Sequence, residues 1–238
     1  MRRIVTLAVG LVVCAALSAC GSSRPVSSSA SLSPSSRATK SIVSAALAQK
    51  SVHWTEYAVA HMSGSDHWTS NVTADSGEQW GTLNISPTVG GRVHILLVDS
   101  TVYIEGNPAG LRSQLKLTRA QANNYAWQWI AIPKGDKLYG VSGGLTLGSI
   151  VHAAIPHGNL KIVRKVLHGK RRLVLQAKDT GEPFPRLSAR GTGAPLPIAF
   201  VDAGCLGCGS GITFSKWNEP VRVHPPAHSV PIATVRNS

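Results

Sequence analysis

The sequence predicts an α+β domain built on an antiparallel sheet, and three observations carry that reading. From Val52 to Gly106, short runs rich in β-branched and aromatic residues are separated by turn-forming clusters at intervals of about 10 to 12 residues, the rhythm of consecutive antiparallel strands. Between Asn107 and Ala126, and again between Leu145 and Pro156, the apolar spacing changes to that of a helix. From Asn159 onward the strand rhythm returns, so the order is strands, helices, strands, with no internal repeat.

The first 40 residues stand apart from this domain. Arg2 and Arg3 precede an apolar run from Ile4 to Ala19. That run is short of the roughly 20 residues a membrane span needs and fits the h-region of an export signal. It ends in Leu17-Ser18-Ala19-Cys20, which resembles the bacterial lipobox. In that motif the cysteine sulfur receives a diacylglycerol and the cysteine becomes the first residue of the mature protein. The resemblance implies a signal peptide over 1–19, a lipidated Cys20 and retention at the outer face of the cytoplasmic membrane. Two or more acyl chains, at about 0.8 kcal/mol per buried methylene, hold far better than one. Residues 21–40 contain nine serines, two prolines and no aromatic residue, so 20–40 is expected to be a flexible tether. Residues 41–238 are expected to form a single domain.

Charge constrains the partners. The chain carries 24 basic and 11 acidic residues, and without Arg2 and Arg3 the balance is 22 − 11 = +11. An exported protein meets no chromosome, so nucleic acid is not expected. Anionic headgroups, which attract basic segments, are the expected counterpart.

The elements follow in order. Residues 39–51 read as a short helix capped by Ser41, with Ile42, Val43, Ala46 and Leu47 on one face. Val52, Trp54, Ala58, Ala60 and Met62 alternate with His53, Thr55, Tyr57 and His61, as in a sheet with one covered face. Strand candidates continue through 67–74, 79–85, 92–98 and 101–106. Asn107-Pro108 suits a helix start, and Thr118 can cap a second short helix. After the strand candidate 127–133, Leu147, Ile150, Val151 and Ala154 fall at i, i+3, i+4 and i+7 before Pro156 stops the helix. Residues 159–179 read as a hairpin turning at His168-Gly169-Lys170. The last strands lie within 186–204 and 211–226, with Pro195 and Pro197 marking an edge or a strand start.

Few residues point to chemistry. Cys205-x-x-Cys208 with His224 and His228 matches a zinc-finger spacing, but Pro225 and Pro226 exclude the helix such a site uses. A redox C-x-x-C works at a helix N-terminus, whereas this one is set among glycines. Outside the cytoplasm a local Cys205–Cys208 disulfide is the expectation. There is no G-x-S-x-G elbow, and neither His61/His67 nor His152/His157 has the i, i+4 spacing of a helical metal pair, so neither an enzyme nor a bound metal or cofactor is expected. Lys161, Arg164, Lys165, Lys170, Arg171 and Arg172 cluster about one hairpin. They read either as a solvated edge that discourages aggregation or as a basic patch facing anionic lipid.

Four stretches, "STVYIEG", "WQWIAIP" followed by "LTLGSIV", "GAPLPIAF" and "ITFSKWNEPVRVHPP", resemble the actinobacterial LppX/LprG-type lipoproteins, relatives of the LolA-like lipid carriers. The resemblance implies a strongly curved antiparallel half-barrel whose helices cover the concave face. It also implies an apolar cavity for the acyl chains of a lipid or lipoglycan. By position, Val52, Trp54, Leu147, Ile150, Val151 and Ala154 would line it. The other reading is a cell-envelope structural or interaction lipoprotein with those residues in a closed core. The "CLGC" pair and strand histidines such as His53, His61 and His94 depart from the family pattern.

Overall fold

The computed structural model describes residues 32–60, 64–86, 89–178, 185–205 and 208–238. Its scaffold is one curled, unclosed sheet of twelve strands. Strands β1 (Ser51–Ala60), β2 (Gly64–Thr73), β3 (Gly77–Ser86), β4 (Val89–Val98) and β5 (Thr101–Gly106) form an antiparallel meander. β6 (Ile130–Pro133) extends it beyond β5. On the other flank of β1 come β11 (Cys208–Ser215), β10 (Pro197–Cys205), β9 (Arg186–Arg190), β8 (Lys170–Ala177) and β7 (Leu160–Leu167), with β7 at the edge. The expected α+β architecture, a half-barrel sheet with helices, is present.

Turn chemistry sets the registers. Asp99 and Ser100 both have positive φ between the paired Val98 and Thr101, and His168 and Gly169 do the same between Leu167 and Lys170. These are two-residue turns of the type whose twist matches the flanking strands. Pro197 opens β10, where its missing N–H costs least.

The helices pack on the concave face. α1 (Pro34–Leu47) and α4 (Leu147–Ala153) share a core with Val52, Trp54, Val72, Leu175, Leu187 and Phe214. α2 (Pro108–Leu115), α3 (Arg119–Asn124) and α5 (Ile232–Arg236) share another with Val93, Ile95, Ile104, Ile130 and Leu145. Among the described residues no helix is long and apolar enough to cross a membrane.

Two corrections concern local limits. α1 begins at Pro34, not near Ser41: the Ser33 hydroxyl accepts from the Ser36 N–H at 3.1 Å and Pro34 takes the first helical turn. The end of the expected tether, 34–40, is therefore helical. The C-terminal stretch contributes a short parallel strand, β12 (Val230–Pro231), beside β6, and then α5. Neither has a period long enough to read. Asn218 ties the "FSKWNEP" stretch to the start of β1, accepting from the Lys50 N–H at 2.7 Å while its own N–H donates to the Ser51 carbonyl at 3.0 Å.

α5 is held by a bidentate pair, Arg236 Nη1 and Nη2 donating to Asp136 Oδ2 and Oδ1, each at 2.7 Å. The Arg236 hydrogen bonds, aided by the Leu138 N–H, lower the Asp136 pKa from its ordinary 3.8 to about 2. A carboxyl depressed in the folded state stabilises above its unfolded pKa and loses that contribution as pH falls through the folded value. Arg236→Gln should lower the Tm at pH 7 by ~2 to 4 °C, as befits a surface pair in a chain of this size. The difference from wild type should close as pH falls between 3.8 and about 2, followed by thermal melts.

Candidate functional site

Strand register defines what the concave face presents. Phe214, Trp54, Ser70, Gln79, Ile95, Ile104 and Ile130 are successive partners across seven strands. The ends of this row are apolar and its middle is polar. Ser70 is fully buried and Gln79 is 5% exposed. Neither Trp54 Nε1 nor Ser70 Oγ has a hydrogen-bond partner among the described residues. A neighbouring row carries Glu56 between Ile212 and Trp68.

Over these rows lies a cavity of about 500 Å³. Trp54, Trp68, Ile95, Phe200 and Ile212 wall it on the sheet side, with Glu56, Gln79 and Ser210 as polar inserts. α4 contributes Ile150 and the exposed Ala153, α2 contributes Gln114, and Gly140, Val141, Gly143 and Gly144 line the remaining side of a pocket that is partly open to solvent. Burial raises the pKa of the Glu56 carboxyl above its ordinary 4.5, and the nearby Asp66 raises it further. The cavity thus combines aromatic and aliphatic walls with a carboxyl biased towards its neutral form.

Of the residues expected to line a cavity, the structure brings Trp54 and Ile150 to its wall. Val52, Leu147, Val151 and Ala154 sit instead in close-packed core with α1, each 1% exposed or less. Ala153, one residue before Ala154, is the small residue facing the cavity. Glu56, Ser70 and Gln79 escaped the sequence reading because polar residues in a strand are read as outward. Their signal was the period of two itself: Glu56 continues Val52 and Trp54, and Ser70 continues Val72.

The strand histidines His53 and His94 alternate with Trp54 and Ile95 and so lie on the convex face. His53 Nδ1 is 2.9 Å from Asn71 Oδ1. His94 stacks on Trp80 at 4.5 Å between ring centres, with Glu78 at 2.9 Å and Glu105 at 3.4 Å. His61 lies outside the described residues. His224 and His228 are on a helix-free segment after Asn218.

The basic hairpin is β7–β8. Arg164, Lys165, Arg171 and Arg172 line a groove of about 800 Å³, joined there by Arg37 of α1 and Arg190 of β9, while Lys170 stands at the turn outside it. Cys205 and Cys208 are register partners across the β10–β11 turn, but their side chains, like Cys20, lie outside the described residues.

Fold and site together define a curled-sheet α+β domain with a cavity beneath its helical cover and a cationic groove at one end of the sheet. No family model matches the chain, and no curated protein matches it. Among solved structures it is similar to LprF from Mycobacterium bovis, at 15% identity over 82% of this chain and 97% of that one, with a TM-score of 0.45. It is also similar to an uncharacterized conserved protein from Thermus thermophilus, at 9% identity over 83% of this chain and 98% of that one, with a TM-score of 0.41.

Proposed function

We propose that this protein is an exported lipoprotein, anchored through Cys20 at the outer face of the cytoplasmic membrane, that holds the acyl portion of a lipid or lipoglycan without catalysing a reaction. The carrying observation is the cavity of about 500 Å³ between sheet and cover. Its volume falls in the roughly 300–1,000 Å³ range of ligand sites, and its predominantly apolar wall with a few polar groups is the composition of such sites. Glu56 and Gln79 suit the ester or carboxyl end of an occupant, since a buried polar group needs a partner.

The interaction-lipoprotein reading draws on a different observation. Trp80 on the convex face is 43% exposed and Tyr57 is 45% exposed, aromatic surface of the kind that protein and polymer partners cover.

Mature protein purified from membranes should carry a co-purifying lipid visible by mass spectrometry. Cys20→Ala should release the protein from the membrane fraction or block its maturation, and the delipidated protein should bind a fluorescent fatty-acyl probe saturably, near one to one. Ala153→Trp, which fills the cavity from α4, should weaken that binding about tenfold or more, the loss of roughly one bulky group's space. Folded, lipid-free protein without saturable binding to any diacyl or triacyl lipid would overturn the cavity reading and favour the convex face.

A further inference from the structure

The groove between α1 and the β7–β9 end of the sheet has no role in holding an acyl chain. Six cationic residues line it from four elements: Arg37 from α1, Arg164 and Lys165 from β7, Arg171 and Arg172 from β8, and Arg190 from β9. By strand alternation Arg164 and Arg171 share the Leu173 face with Arg37, while Lys165, Arg172 and Arg190 form a row on the other face of the same sheet end. No acidic residue lines it, and none of the six takes part in an ion pair among the described residues. Lys165, Arg172 and Arg190 are direct partners on successive strands. Like charges set opposite one another destabilise a sheet unless something screens them.

Edge protection explains charge on β7, but not Arg37 on a helix or Arg190 two strands in. Nor does it explain the hairpin tip. Val166 is 67% exposed and Leu167 is 40% exposed, two apolar side chains held out beyond a collar of cations. Apolar tips with flanking Lys and Arg suit a bilayer interface, where the apolar group enters the acyl boundary and the cations meet headgroups.

We propose that this groove is a binding site for the phosphate of anionic lipid headgroups, seated while Val166 and Leu167 enter the same leaflet. Arginine forks match phosphate oxygens with paired, charge-assisted hydrogen bonds. The choice of a membrane phosphate over a free one rests on the anchored reading above, since Pro34 on the groove wall lies only fourteen residues after Cys20.

The test uses the mature chain, residues 20–238, with Cys20→Ala, and vesicles of phosphatidylcholine with or without phosphatidylglycerol. Arg37→Gln with Arg171→Gln removes two groove cations. Lys178→Gln with Arg222→Gln removes two exposed cations that do not line it. The groove pair should weaken binding to anionic vesicles about tenfold or more, at ~1 kcal/mol per contacting residue, and the outside pair less than about twofold. Val166→Ser with Leu167→Ser should weaken binding further without altering its salt dependence. Equal losses from the two cation pairs would overturn the site in favour of diffuse attraction, and equal binding to both vesicle types would overturn the anionic headgroup as its ligand. Saturable displacement by inorganic phosphate at matched ionic strength would overturn the lipid assignment. Circular dichroism checks that each variant is folded. Acyl-probe binding should be unchanged in the groove variants, so the cavity and the groove can fail separately.

Discussion

Trp54→Ala is expected to lower the unfolding free energy by about 3 to 5 kcal/mol, the range for deleting a buried aromatic side chain, as read from urea denaturation. Trp54 is 1% exposed, pairs with Phe214 across β1 and β11, and packs in the core that joins the sheet to α1 and α4. The fit over its ring is close: a Cβ on Gly144 would lie 2.9 Å from its Cζ2, and Gly144 already needs its positive φ of 82°. No neighbour can follow the ring inward at low cost, so truncation leaves most of the ring's volume open beside the existing cavity. Trp54→Phe separates packing from hydrogen bonding. It keeps the aromatic contact and removes an N–H that has no partner among the described residues, so its cost should stay below about 1.5 kcal/mol. A Phe variant as unstable as the Ala variant would mean that the indole N–H is bonded in the folded protein, by a ligand or a water.

Gly110→Val should cost about 3 kcal/mol and loosen α2, because overpacking against backbone cannot relax through a rotamer. A Cβ at Gly110 would lie 2.5 Å from the Arg92 carbonyl oxygen. That oxygen is held in place, since it accepts from the Asn107 N–H at 3.1 Å. Asn107 is fixed in turn: its Oδ1 accepts from the Gly110 N–H at 2.8 Å and the Arg92 N–H at 3.0 Å, and its Nδ2 donates to the Gly90 carbonyl at 3.0 Å. The substitution therefore strikes the clamp that seats α2 on β4. Urea denaturation should show the loss, and limited proteolysis should cut first around 107–118. Gly110→Ala should fall between wild type and Val; a neutral Val variant would mean that α2 shifts freely on the sheet.

The positions of most elements were legible because their causes are local. A period of two with turn pairs at Asp99-Ser100 and His168-Gly169 specifies strands and their hairpins over a few residues. Asn107 and Thr118 cap the helices that their sequences announce, and Thr118 completes a capping box with Gln121. β5 occupies the expected 101–106. By contrast, the start of α1 hid in a serine-rich stretch whose composition outweighs one cap, and β12 and α5 are too short to carry a period.

The sequence by itself determined the α+β class, the meander, the basic hairpin and the apolar face of α4. Only the tertiary structure decided what those faces enclose. Helical spacing puts Leu147, Ile150, Val151 and Ala154 on one buried face, yet Ile150 reaches the cavity and the others fill core, because α1 arrives from a hundred residues earlier to cover them. Register across seven strands aligns Ser70 and Gln79 with Trp54, and no local pattern contains that alignment. The same holds for the groove, where Arg37 and Arg190 join the hairpin cations although more than 120 residues separate Arg37 from the nearest of them. Periodicity and turn chemistry act over a few residues, whereas a cavity or a charge cluster is made by chain segments that meet only when the sheet curls.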